Sequence, residues 1–127
     1  LIDCHSRPGE AVNHGRAGGA VRPQVVLGDR FGASCGKAYV DGIEAIFRQE
    51  GFSVVRNSPF AGAYITQAYG RPAAGQHAIQ IEIDRSLYMN EATIRTTSEY
   101  ANTKRRLTAV VRQICDIAAP QVGLAAE

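Results

Sequence analysis

Apolar positions recur along this chain with two different periods, and the switches between them mark out its elements. Leu1-Ile2-Asp3-Cys4-His5 reads as a buried strand already running at its first residue and closing on a histidine. Residues 6–24 carry Pro8, Gly9, Gly15, Gly18, Gly19 and Pro23, which predicts a long loop with little regular structure. Val25, Val26 and Leu27 form a short strand, closed by Gly28-Asp29-Arg30-Phe31-Gly32. Tyr39, Val40, Ile43, Ile46 and Phe47 then return at helical spacing, with Ser34 as the expected cap and Gly51 as the expected stop. A strand over 52–55 meets the turn Arg56-Asn57-Ser58-Pro59, and 62–70 is loop-like or briefly helical.

The clearest strand covers 78–83, where Ile79, Ile81 and Ile83 alternate with Gln80, Glu82 and Asp84. A long helix follows. Thr96 and Glu99 stand at capping-box spacing, Leu107, Val110, Val111, Ile114 and Ile117 make its stripe, and Pro120 ends it. Strands alternating with helices predict an α/β fold: a three-layer αβα sandwich around a mostly parallel or mixed sheet. Residues 1–120 are read as part of one domain and 121–127 as a loose tail.

Composition narrows this only slightly. A hydrophobic share of 45% with 20% charged residues suits a folded domain and excludes disorder. No apolar run approaches the ~20 residues that span a bilayer. The net charge of +2 is too small to imply nucleic acid, and Lys104, Arg105, Arg106 and Arg112 on the last helix are expected to face solvent. Cys4, Cys35 and Cys115 are widely spaced with no Cys-x-x-Cys pair, which points to a reducing, cytoplasmic setting. A first residue inside a strand, with no Met and no polar lead-in, leads us to expect the C-terminal part of a longer enzyme.

Three sets of residues could carry chemistry. His5 ends a hydrophobic strand; an imidazole there either hydrogen-bonds locally or binds zinc, whose catalytic sites commonly take three protein ligands and leave one position open. Cys4 cannot pair with it as nucleophile and base, because neighbouring strand residues face opposite ways. Glu82 lies among isoleucines, where a carboxylate is costly to bury alone, so it is either a catalytic base or the partner of an arginine such as Arg85. Arg30, Arg56, Arg71 and Arg85 sit at loops and strand ends, where guanidinium groups hold carboxylates by paired hydrogen bonds. The glycines of 15–19 lack the Gly-Lys-Ser/Thr ending of a phosphate loop.

In order along the chain stand Asp-Cys-His-Ser at 3–6, Leu-Gly-Asp-Arg-Phe-Gly at 27–32, Arg-Asn-Ser-Pro-Phe-Ala-Gly-Ala-Tyr-Ile-Thr at 56–66, Tyr-Gly-Arg-Pro at 69–72 and Gln-Ile-Glu-Ile-Asp-Arg-Ser-Leu-Tyr-Met at 80–89. Together they resemble the C-terminal half of an N-formylglutamate amidohydrolase, a family similar to the zinc carboxypeptidases and aspartoacylases. The resemblance implies a zinc-carboxypeptidase-like fold and zinc-dependent hydrolysis of N-formyl-L-glutamate to formate and glutamate. It makes His5 a metal ligand, Glu82 the general base, and Arg56 and Asn57 substrate anchors, with Arg71, Tyr64 and Thr66 lining the site; Arg30, from the arginine set, is a further substrate-binding candidate. The partner it implies is a small anionic N-formyl amino acid, with neither nucleic acid nor membrane. The family's early metal ligands have no counterpart here; His14 and His77, the other histidines, match no ligand position. Three alternatives stay open: a non-catalytic paralogue or subunit, a hydrolase of another N-acyl amino acid, and an anion- or nucleic-acid-binding module built on the arginines.

Overall fold

The computed structural model describes residues 1–12 and 22–118. At its centre is a four-stranded sheet of β1 (Ile2–Arg7), β2 (Val25–Gly28), β3 (Val54–Arg56) and β4 (Ile79–Asp84), in the order β1-β4-β2-β3. β1 runs parallel to β4 and β2 parallel to β3, while β2 meets β4 antiparallel, so the sheet is mixed. Helix α1 (Lys37–Gln49) joins β2 to β3 as a β-α-β unit. The short α2 (Tyr64–Tyr69) precedes β4; β5 (Met89–Asn90) and β6 (Arg95–Thr96) pair before the long α3 (Tyr100–Ala118).

Period-two alternation gives the sheet two unlike faces. Val25, Leu27, Ile79, Ile81 and Ile83 share one core cluster with Val40, Ile43, Ile46 and Phe47 of α1 and Val110 and Ile114 of α3. Both long helices therefore cover the same face. The other face carries Asp3, His5 and Arg7 of β1 beside Gln80, Glu82 and Asp84 of β4. Of the three layers expected, the described residues form the sheet and the layer built by α1 and α3. No described helix is long and apolar enough to cross a membrane.

The elements fall close to their expected positions, and the departures have local causes. β1 continues through Arg7 and a single 3-10 turn spans Gly9–Val12, so the long loop starts later than its glycines imply. Residues 13–21, with His14, lie outside the described residues, as do Pro120 and the tail. Ser34 does not cap α1. Its N–H is spent on Asp29 O in a turn, the cap position falls to Gly36, and the Ser34 hydroxyl is buried without a described partner. Gly51 does end α1: its φ of +82° lets its N–H and that of Phe52 reach back to Arg48 O and Phe47 O.

The Thr96–Glu99 capping box does not form, because Thr96 pairs with Met89 in the β5–β6 ribbon and α3 starts at Tyr100. The α3 stripe is also rotated. Thr103, Val110 and Ile114 are buried, whereas Val111 and Ile117 are exposed along the open edge of β1. Arg106 is not a solvated surface charge. It lies 3.8 Å over the Phe52 ring and donates to Glu50 O at 2.7 Å, tying α3 to the end of α1.

Candidate active site

His5 and Glu82, distant in sequence, are register partners on the paired strands β1 and β4 and share the polar face of the sheet. Glu82 is 8% exposed, whereas the His5 side chain is 48% exposed. Asp3, two residues before His5 on the same face, brings Oδ1 to 2.9 Å from His5 Nε2. Nδ1 is then the ring nitrogen with no partner among the described residues. A carboxylate on one imidazole nitrogen fixes the ring and makes the other a better metal donor. Asp3 Oδ2 is buried with no partner among the described residues, a further sign of a polar centre that these contacts do not complete. His5 thus fits a metal ligand. Among the described residues no group of three or more His, Cys, Asp or Glu side chains could hold a metal, so a metal on His5 would need further ligands.

Glu82 Oε1 accepts a 2.7 Å hydrogen bond from Gln80 Nε2. The arginine expected as its alternative partner is engaged elsewhere: Arg85 donates to Ser6 Oγ and to Ser6 O, each at 3.1 Å. Two residues beyond His5 and Glu82, Arg7 and Asp84 form an ion pair at 3.5 Å with both side chains 2% exposed. Arg7 also donates to Pro23 O, and Asp84 accepts from the Ser86 N–H and hydroxyl. Burial pushes the Arg7 guanidinium below its ordinary pKa, with Asp84 and Glu82 pulling it back. This buried clamp joins the strand ends in the same register that aligns His5 with Glu82.

Cys4 pairs with Ile81, on the helix-covered face, so it cannot form a dyad with His5. Burial, and after it the Glu82 and Asp3 carboxylates, push its thiol up, the opposite of what a nucleophile needs.

The arginine expected to anchor substrate is bound to the other side of the sheet. Arg56 pairs with Leu27, on the core face, and reaches α1, giving Nε to Glu44 at 2.5 Å and Nη2 to Asp41 at 2.9 Å. Asp41 and Glu44 lie one helical turn apart and converge on one guanidinium. Bonds from Lys37 and Arg56 hold Asp41 below its usual pKa; burial pushes Glu44 up, but bonds from Arg48 and Arg56 outweigh it. Depressed carboxyl values stabilise the fold above the unfolded pKa near ~4, and that contribution is lost as pH falls through the folded values. The melting temperature of the wild type should therefore drop on acidification below about pH 4, and Arg56→Gln should flatten that drop. Superimposable acid profiles for the two proteins would show that these contacts do not couple to folding.

Asn57 is likewise bonded within the fold. At φ +55° it accepts from the N–H groups of Asp29 and Phe31 and donates to Asp29 Oδ1 at 2.6 Å, bracketing the turn after β2. Thr66 is fully buried and returns its hydroxyl to Ala63 O. Arg30 is on the rim. It follows β2 at φ +54°, its N–H bonds Ala61 O, and among the described residues its guanidinium hydrogen-bonds only the exposed Gln67, at 3.5 Å. Tyr64 is 74% exposed and directly follows Ala63, whose N–H is held by Gln80. Arg71 is exposed at the Arg71–Gln76 bridge. The loop over 58–63 crosses Gly28 so closely that a Cβ there would lie 2.6 Å from Gly62 N. A groove of about 590 Å³ runs between β1 and α3 past His5, Tyr88, Tyr100, Leu107 and Val111, but Glu82 does not line it.

Gln80 and the Arg7–Asp84 clamp are the polar residues that sequence reasoning missed. Alternation places Gln80 and Asp84 beside Glu82, but nothing local signals their partners.

Residues 1–89 match the family model for N-formylglutamate amidohydrolase, a span that includes His5, Gln80 and Glu82. The chain belongs to the N-formylglutamate amidohydrolase family. It is 36% identical over 96 residues to an N-formylglutamate deformylase of Pseudomonas aeruginosa, covering 74% of this chain and 35% of that protein. A protein of the same name from Pseudomonas putida is 39% identical over 70 residues, 54% of this chain and 26% of that one. The crystal structure of an N-formylglutamate amidohydrolase from Ralstonia eutropha superimposes with a TM-score of 0.80 at 34% identity, over 92% of this chain and 42% of that chain. An Agrobacterium tumefaciens gene product, at 19% identity and a TM-score of 0.52, shares the fold alone. The chain spans about a third of the length of the Pseudomonas aeruginosa protein.

Proposed function

We propose that the protein carrying this chain hydrolyses N-formyl-L-glutamate to formate and L-glutamate, with Glu82 as general base and His5 as a zinc ligand. The observation that carries the reading is the pairing of His5 with Glu82 on adjoining parallel strands, on the polar face of a sheet whose other face is apolar core. The zinc-carboxypeptidase-like plan of the resemblance is part of the same proposal. Zinc, when bound, would polarise the formyl carbonyl and make water a stronger acid. Glu82 takes the proton that the attacking water loses and returns it to the departing amine. Asp3 holds the imidazole of His5 in a fixed orientation.

The carboxylates of a small diacid need a cation at the rim, and Arg30 suits that role better than Arg56. Its guanidinium has one long contact to an exposed glutamine, whereas Arg56 is held by two carboxylates on the opposite face. Release of formate, followed with the full product of the gene and added zinc, tests the activity. Arg30→Ala should raise KM for N-formylglutamate on the order of tenfold or more, with much less change for an uncharged N-formyl amino acid, because a charge-assisted bond is worth ~1.5–3 kcal/mol. Equal effects on charged and neutral substrates would remove Arg30 from carboxylate recognition. Arg71, exposed and with no side-chain partner among the described residues, would then be the next arginine to test.

A further inference from the structure

Gln80 is 4% exposed, and its side chain makes two hydrogen bonds in opposite directions. Its Oε1 accepts the Ala63 N–H at 2.8 Å, and its Nε2 donates to Glu82 Oε1 at 2.7 Å. The first bond decides the second: a backbone N–H can only donate, so the amide oxygen must face Ala63 and the NH₂ must face Glu82. Ala63 is itself fixed. The loop before it lies against Gly28, where no side chain could be accommodated, and its carbonyl accepts the buried Thr66 hydroxyl.

We propose that Gln80 is the positioning residue of the base. It ties Glu82 Oε1 to the 58–63 loop and leaves Oε2, which has no partner among the described residues, as the oxygen that takes the proton from water. The proposal rests on Glu82 being the base, and it assigns the two carboxylate oxygens different tasks. A glutamate side chain has several rotatable bonds, and a general base must sit about 2.6–3.2 Å from the proton it removes. A carboxylate fixed at one oxygen sweeps a far smaller arc than a free one. The same contact joins chemistry to recognition, because the residues after β2, with Arg30, are bonded to the loop through Ala61 O.

Two measurements test it. In the native, isotope-labelled chain, one Gln80 Nε2 proton should exchange slowly and resonate downfield; Glu82→Ala should abolish that shift while the Ala63 N–H stays protected. A Gln80 amide that exchanges at solvent rates, or is indifferent to Glu82→Ala, overturns the proposal. In the zinc-supplied full gene product, Gln80→Leu should lower kcat on the order of 10- to 100-fold with KM within about twofold, as displacement of a reacting group does. A structural role alone would lower the melting temperature and leave kcat per folded molecule unchanged, which is the overturning result. Should Gln80→Leu fail to fold, the amide measurement on the native chain decides alone. Normal kcat in Gln80→Leu beside an inactive Glu82→Gln removes the positioning role but keeps the base. An active Glu82→Gln removes both.

Discussion

On the proposed function, Glu82→Gln is expected to leave the fold and any zinc binding intact and to lower turnover by roughly 10²–10⁴-fold. The substitution retains shape and the capacity to accept from Gln80 Nε2 through its remaining carbonyl oxygen, so the Gln80 contact survives. It removes the proton acceptor. If Glu82 were only a structural partner, its loss would appear in stability, but its described hydrogen bond comes from a neutral amide and Arg85 is bonded to Ser6. No guanidinium among the described residues would be left unpaired. Single-turnover rate and thermal melting on the same preparation separate the two roles. A variant that melts early yet hydrolyses N-formylglutamate at the wild-type rate while folded would falsify the assignment. His5→Ala should abolish hydrolysis as well, but with loss of zinc, which Glu82→Gln retains.

The second large effect is on stability. Asp84→Ala should destabilise the chain by about 3–5 kcal/mol, because it strands the Arg7 guanidinium in a site that water does not reach. Total stabilities of small domains run to only about 5–15 kcal/mol, so this single change consumes much of the margin. The pair itself is not strongly stabilising: its charges are 3.5 Å apart and Arg7 Nε is buried with no partner among the described residues. Desolvation and attraction nearly cancel in such a pair, and the cost lies in breaking it one-sidedly. Replacing both members, Arg7→Met with Asp84→Leu, should therefore recover most of the loss in a denaturant titration. Asp84→Ala within ~1 kcal/mol of wild type would mean that water reaches Arg7 after all. The clamp also serves the site, since slippage of β1 by one residue against β4 would turn His5 to the apolar face.

How much of this was legible beforehand depends on how far each interaction reaches along the chain. The alternation of Ile79, Ile81 and Ile83 with Gln80, Glu82 and Asp84 is a local signal with a period of two, and it separates a core face from a polar one without any tertiary information. The helical spacing of Val40, Ile43, Ile46 and Phe47 and the stop at Gly51 are local in the same sense, and α1 sits where they put it. Single residues nominated His5 and Glu82, because an imidazole at a strand end and a carboxylate among isoleucines each demand a reason within their own segment.

Only the folded chain could say what those residues meet. The opposition of His5 and Glu82 is a register between strands far apart in the sequence, and no local pattern encodes a register. Arg56 looked available because it ends a strand before a turn. It is occupied because Asp41 and Glu44, a turn apart on α1, come to lie over it once the β-α-β unit closes. Thr96 lost its capping role to a two-residue strand pairing that propensity does not reveal. Gln80 read as one more polar residue on a strand until Ala63, which follows the Ala61–Gly62 backbone packed against Gly28, took its amide oxygen and turned its NH₂ to Glu82. Periodicity is a property of one segment and survives in the sequence; hydrogen-bond partners belong to pairs of segments, and only tertiary packing chooses the pairs.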